Sequence, residues 1–247
     1  MSHPPQIRVD RLLANLGYGS RAEVQRLVGR GCVLLDGEPV FDPGLKVRLG
    51  RELAARIQVA EAPLDPPPPL ILIMHKPLGL VCSHDEVGRS IYELLPERWR
   101  RRSPVLSSIG RLDSDTTGLL LLTDDGALLH KVISPRRHIA KRYQVVLERP
   151  LAGCEAAVFA SGAMKLDGDS KPLAPAKLEP LGPTTAMLTV TEGRYHQVRR
   201  MFSAVGNGVL RLHRDRVGGL SLPADLPPGA WRILEEPEQN LLFETIA

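Results

Sequence analysis

Apolar residues recur at Val9, Leu12, Leu13 and Leu16, the i, i+3, i+4, i+7 spacing of one helical face. Gly17 and Gly19 then stop that helix. Ser20-Arg21-Ala22-Glu23 has the spacing of a capping box and opens a second helix, with Val24, Leu27 and Val28 on its buried side. In the following run, Val33 to Val40, the Asp36-Gly37 pair predicts a hairpin turn. Further along, the pattern changes to strands. Leu70-Ile71-Leu72-Ile73-Met74 predicts a central strand, broken by His75-Lys76-Pro77-Leu78-Gly79. Leu119 to Leu122 predicts a buried strand, and Tyr143, Val145 and Leu147 alternate on one face of another. Residues 186–191 and 209–216 read as strands. Residues 195–205 read as a helix with Val198, Met201, Phe202 and Val205 inward, ended by Gly206. Strands outnumber helices and few are joined by full crossovers, which predicts an α+β fold with a mixed, largely antiparallel sheet.

The pattern is interrupted at Ala62-Pro63-Leu64-Asp65-Pro66-Pro67-Pro68-Pro69, where four consecutive prolines predict an extended, semi-rigid spacer. This gives a small domain over 7–61, a proline-rich linker over 62–69 and a large domain over 70–240. No apolar run approaches the roughly 18 residues of a membrane span. Met1 to Gln6 lacks the apolar stretch of a signal peptide. Cys32, Cys82 and Cys154 lie far apart, which argues against a zinc site or a disulfide framework. The expectation is a cytoplasmic protein with no membrane partner and no metal.

Net charge is only +4, so its distribution matters more than its total. Arg98 to Arg102 holds four arginines, and Lys131 to Arg142 holds five Lys or Arg and no acid. Arg194 to Arg216 holds six arginines and the single acid Asp215. Arg11, Arg21, Arg26 and Arg30 occupy polar positions of the two N-terminal helices. Clustered arginine suits a phosphate-lined partner.

The chemistry concentrates in Gly110-Arg111-Leu112-Asp113-Ser114-Asp115-Thr116-Thr117-Gly118-Leu119. Asp113 is either a turn-capping aspartate or a reacting carboxylate positioned by the strand behind it. Asp115 reads as a loop former, with Thr116 and Thr117 offering hydroxyls to nearby backbone. A hydrolase built on Asp113, Asp115 and His196 is conceivable, although carboxylates at i and i+2 on one tight loop rarely face each other across a sugar.

Four motifs together resemble the RsuA family of pseudouridine synthases: Lys76-Pro77, Gly110-Arg111-Leu112-Asp113 with Thr-Thr-Gly-Leu, Lys141-Arg142-Tyr143, and Glu192-Gly193-Arg194-Tyr195-His196-Gln197-Val198-Arg199-Arg200-Met201. Residues 7–50 resemble the alpha-L RNA-binding module. Leu212-His213-Arg214 and Val217-Gly218-Gly219 look closest to the branch that modifies 16S ribosomal RNA. Relatives acting on 23S RNA share the main motifs.

The resemblance implies a small alpha-L RNA-binding domain followed by a pseudouridine synthase domain. The implied reaction is the isomerisation of a uridine in ribosomal RNA, without cofactor. Asp113 matches the catalytic aspartate, as nucleophile or base. Tyr143 matches the active-site tyrosine, and Arg199 the cation that keeps the aspartate ionised. Leu212 matches an apolar pocket wall. Arg111 is a candidate for filling the space an extruded base leaves. Arg11, Arg21, Arg26 and Arg194 are candidate RNA contacts. The partner implied is ribosomal RNA or a ribosomal subunit precursor, bound by a monomer. A non-catalytic RNA-binding or assembly protein is the main alternative, and the Asp113, Tyr143 and Arg199 set argues against it. His75 and Arg142 depart from the family's usual Asn and Thr.

Overall fold

The computed structural model describes residues 5–50, 52–85 and 87–244. The chain folds as two compact units, described in turn. The first comprises the chain up to Ile71 together with Leu95–Ser107 and Thr123–Gly126. Its helices are where the apolar spacing placed them, Val9–Asn15 and Arg21–Gly29. The capping box forms: the Glu23 backbone N–H donates to Ser20 Oγ (3.4 Å), and the Ser20 N–H donates to Glu23 Oε2 (2.7 Å). Val33–Leu35 pairs antiparallel with Glu38–Pro39. The turn between them has φ of 52° at Asp36 and 86° at Gly37, the positive values a type I′ turn requires. Val9, Leu12, Leu13, Leu16, Val24 and Val28 close on Val33, Leu53 and Ile57 in one apolar cluster.

The proline-rich segment is not a spacer. Ala62–Pro63 pairs with Ile57–Val59, and Leu64 is buried in the same apolar cluster. Asp65 accepts two bonds from Arg98 (2.6 and 3.0 Å), whose guanidinium also lies 4.3 Å from the centre of the Tyr18 ring. Residues among the prolines have tertiary partners that composition does not show. The arginine run Arg98 to Arg102 is largely used up here. Arg101 pairs with Glu97, and Arg102 is buried against Asp124 (3.0 Å) and the Pro66 carbonyl (2.8 Å). Gly17, at φ +86°, lets the end of the first helix approach this run, since a Cβ there would sit 2.4 Å from the Arg98 carbonyl oxygen.

The second unit is built on a nine-stranded sheet. In spatial order the main strands are Lys177–Gly182, Thr185–Val190, Lys141–Leu147, Val209–Val217, Thr116–Thr123, Ile71–Lys76 and Trp231–Ile233. Pairing is antiparallel on both sides of Lys141–Leu147, whereas Val209–Val217 runs parallel to Thr116–Thr123. Val145, Leu147, Leu188, Val190 and Leu212 of the sheet pack with Val198, Met201 and Phe202 of the helix Gln197–Ala204. Phe159 meets Phe202 edge-on, with ring centres 5.2 Å apart.

Two of the boundaries that differ from the sequence reading shape the Asp113 loop. Ile71–Lys76 runs on through His75 and Lys76 to Pro77, which lacks the N–H needed to extend a ladder. Thr116–Thr123 starts three residues before the leucines, so Thr116 and Thr117 are strand residues and the loop holding Asp113 is shorter than expected. Gly118 makes that early start possible. It opposes Arg214 at φ +112°, and a Cβ would lie 2.2 Å from the Arg214 carbonyl oxygen. Gly118→Ala combines left-handed strain with a backbone clash and is expected to cost at least ~3 kcal/mol, read as a lower urea midpoint.

Candidate active site

Asp113 lies in a loop held by its backbone. The Thr116 N–H donates to the Asp113 carbonyl (3.0 Å), and the Gly79 N–H donates to the Ser114 carbonyl (2.7 Å). Beneath them Lys76, fully buried, donates its ammonium to the carbonyls of Asp113 (3.0 Å), Thr116 (2.9 Å) and Pro77 (3.1 Å), with Ser114 at 3.5 Å. Burial pushes the Lys76 pKa down, while Cys82, Asp113 and Asp115 pull it back up. A charge-assisted bond to a carbonyl is stronger than a neutral one, and here one cation gathers several oxygens of the turn. The Lys76-Pro77 motif is therefore the floor of the loop, a role its spacing did not announce.

The Asp113 side chain is 34% exposed, and the side chain facing it is His196, whose Nε2 lies 3.3 Å from Oδ1. Arg199 does not take that place. Its Nη2 pairs with Asp115 Oδ2 (2.9 Å) and donates to the Asp115 carbonyl (3.2 Å), while Nη1 donates to the Val209 carbonyl (2.7 Å). Arg199 flanks the apolar stripe of its helix, but a place on a helix face gives direction and not reach. From that face the guanidinium meets the end of the loop, two residues beyond Asp113. His196 stands at the helix start, where a lone histidine reads as a packing or hydrogen-bonding residue. It precedes the helix Gln197–Ala204 in the left-handed conformation (φ 47°), which sends its ring to the aspartate.

Tyr143 is half-buried, packs against the core under the sheet, and opposes Arg214 in the ladder. Arg214 in turn opposes Gly118, so tyrosine, arginine and the strand leaving the loop are three neighbours across the sheet. Leu212 is 5% exposed and belongs to the core cluster. Arg214, noted in the sequence only within the Leu212-His213-Arg214 motif, is buried and donates Nε to the Leu119 carbonyl (2.9 Å), and its Nη2 has no partner among the described residues. His213 bonds Thr117 Oγ1 (2.9 Å) through Nδ1, and His75 does the same to the Leu226 carbonyl (2.8 Å). Arg142 pairs with Asp215 on the adjacent strand.

Arg194 is braced within the fold. It is tied to Asp169 (2.8 Å), Glu192 (3.1 Å) and the carbonyls of Lys171 and Pro172. Its partners lie two and more than twenty residues away, so the motif alone showed a free cation where the fold has a brace. Arg111 is exposed two residues before Asp113, and Arg11, Arg21 and Arg26 are exposed on the two N-terminal helices.

Lys141 begins the strand that carries Tyr143. Burial, together with nearby Arg214, lowers its pKa from 10.5 to about 8, against the pull of Glu192. The unfolded chain keeps that proton between about pH 8 and 10.5 while the folded chain has lost it, so stability rises with pH across this window. Lys141→Met is expected to flatten that rise, measured by denaturant titration at pH values spanning the window.

Residues 70–204 match the RNA pseudouridylate synthase family, and residues 7–53 match the S4 domain. The chain belongs to the RNA pseudouridylate synthase family. It is 42% identical over 241 residues to the ribosomal small subunit pseudouridine synthase A of Escherichia coli K12, covering 94% of this chain and 98% of that protein. It is 39% identical over 245 residues to an uncharacterized RNA pseudouridine synthase of Bacillus subtilis, covering 96% and 99%. A crystal structure of a pseudouridylate synthase superposes with a TM-score of 0.67 at 36% identity, over 96% of this chain and 99% of that one. As an RNA pseudouridine synthase, the chain brings the family's loop and helix motifs together where His196 faces Asp113 and Arg199 pairs with Asp115. Among the described residues no helix is long and apolar enough to cross a membrane.

Proposed function

We propose that this synthase isomerises one uridine of small-subunit (16S) ribosomal RNA, with Asp113 as the reacting carboxylate. The observation that carries the reading is the loop itself: a half-exposed aspartate whose backbone is clamped by a buried ammonium. Such clamping places a reacting group within the tolerance catalysis needs. The N1–C1′ bond breaks, the uracil turns, a C5–C1′ bond forms, and the proton leaving C5 is balanced by one gained at N1. Nothing is oxidised and no co-substrate is consumed. Asp113 assists at the ribose, Tyr143 stacks on the uracil and offers its hydroxyl to the C5 proton, and Leu212 backs the pocket. Arg111 fills the space from which the base is drawn, and Arg199 holds the far end of the loop through Asp115. The catalytic region spans 70–240, and the module over 7–61 contributes Arg11, Arg21 and Arg26 to RNA binding. The enzyme is proposed to act as a cytoplasmic monomer on naked RNA or a subunit precursor.

The target is tested with transcripts carrying tritium at uracil C5, which is released when the new bond forms. Small-subunit RNA should release one tritium per molecule and large-subunit RNA none. The reverse pattern would assign the enzyme to 23S RNA.

Replacing Arg11, Arg21 and Arg26 together by Gln should weaken binding and lower the salt slope of log K by up to about 3, near one per lost phosphate contact. The single-turnover rate at saturating RNA should stay unchanged. Filter binding at several salt concentrations and single-turnover kinetics separate the two effects.

A further inference from the structure

A uridine reaching Asp113 has left its stack, so a neighbouring nucleobase also needs a surface. The wall beside Asp113 supplies one. Tyr195 is 75% exposed, although the turn carrying it is fixed on all sides. Arg200 donates to the Tyr195 carbonyl (3.1 Å), Gln197 Oε1 accepts from the Arg194 N–H (2.9 Å), and Gln197 Nε2 donates to Glu192 (3.2 Å). The Tyr195 ring lies flat on the His196 imidazole, with centres 3.8 Å apart and planes 18° apart. That imidazole is the one facing Asp113 at 3.3 Å. His196 holds this position from a left-handed backbone, a cost that marks a functional site when the surroundings enforce it. One face of the phenol is thus taken by His196 and the ring is otherwise open, in an enzyme whose substrate is RNA.

We propose that an unpaired nucleobase adjoining the target uridine stacks on the open face of Tyr195. This completes a base–Tyr195–His196 stack whose inner ring contacts Asp113. The proposal rests on the RNA reading of the Asp113 site. Aromatic–base stacking tolerates any base, so Tyr195 contributes affinity and alignment without dictating the neighbour's identity. By loading His196, the stacked base also positions the imidazole against the reacting carboxylate.

The test uses the full chain and two short single-stranded RNAs. One carries a single uridine between two 2-aminopurines, and the other carries the same uridine between two abasic sites. Tyr195→Ala is expected to weaken binding of the first RNA about tenfold, towards the lower end of what one aromatic–base stack contributes. It should remove the quenching of 2-aminopurine fluorescence and leave binding of the abasic RNA unchanged. Tyr195→Phe, which keeps the ring, should restore binding and quenching. Equal weakening on both RNAs, or none on either, overturns the proposal. These readouts need no turnover, so Asp113→Asn run in parallel separates failure of the stack from failure of the catalytic assignment: a variant that quenches but makes no product supports both.

Discussion

Asp113→Asn is expected to bind RNA as the wild type does and to form pseudouridine up to about 10⁴-fold more slowly. The substitution keeps the shape of the side chain, and the loop does not depend on its charge. The bonds that fix the turn run through the backbone: Thr116 N–H to the Asp113 carbonyl, Gly79 N–H to the Ser114 carbonyl, and Lys76 to the oxygens below. His196 can still meet an amide oxygen at that position. Fold and binding therefore survive while the charged oxygen that reacts is gone. Thermal melting and filter binding should match the wild type, and single-turnover tritium release should not rise above background. A variant within tenfold of the wild-type rate would show that Asp113 is a turn former only.

Lys76→Met is the second large effect, and it acts through position. Met matches the length of the lysine stem but leaves the carbonyls of Asp113, Thr116 and Pro77 without their buried donor. Leaving a buried acceptor without its donor costs about 1–3 kcal/mol, expected here as a clear drop in the urea midpoint. The loop also loses its floor, and a misplacement of about 1 Å at a reacting group costs on the order of 10²-fold in rate. The loss should therefore appear in kcat more than in KM, because the arginines of the N-terminal helices and the open face of Tyr195 are untouched. Lys76→Arg should not rescue, since a planar guanidinium does not fit a site shaped for a compact ammonium beside Pro77. Normal kcat in Lys76→Met would mean the loop holds its shape without the cation.

What the sequence made legible was mostly local. Helix faces, the Ser20–Glu23 capping box and the Asp36-Gly37 turn involve neighbours within a turn of chain, so residue order fixes them. The strand alternation at Tyr143, Val145 and Leu147 was legible because one face is buried. The motif resemblance identified the family. The remaining features depend on contacts that no spacing reveals. Lys76 meets the loop 37 and 40 residues later, and Arg199 reaches Asp115 across 84. The segment 62–69 read as a spacer because prolines dominate it, yet Asp65 bonds Tyr18 and Arg98, 47 and 33 residues away. Arg194 and the run Arg98 to Arg102 looked like RNA contacts because composition counts cations without their partners. His196 was undervalued because its reach to Asp113 depends on a left-handed residue, which periodicity does not predict.

The central claim is that Asp113, on its clamped loop, isomerises one uridine of small-subunit ribosomal RNA. The most direct measurement treats that RNA, naked and in precursor particles, with the purified protein. The RNA is then labelled with carbodiimide, which marks pseudouridine, and mapped by primer extension. One new stop is expected with the wild type and none with Asp113→Asn. No stop on any small-subunit RNA, or a stop that persists in Asp113→Asn, would contradict it.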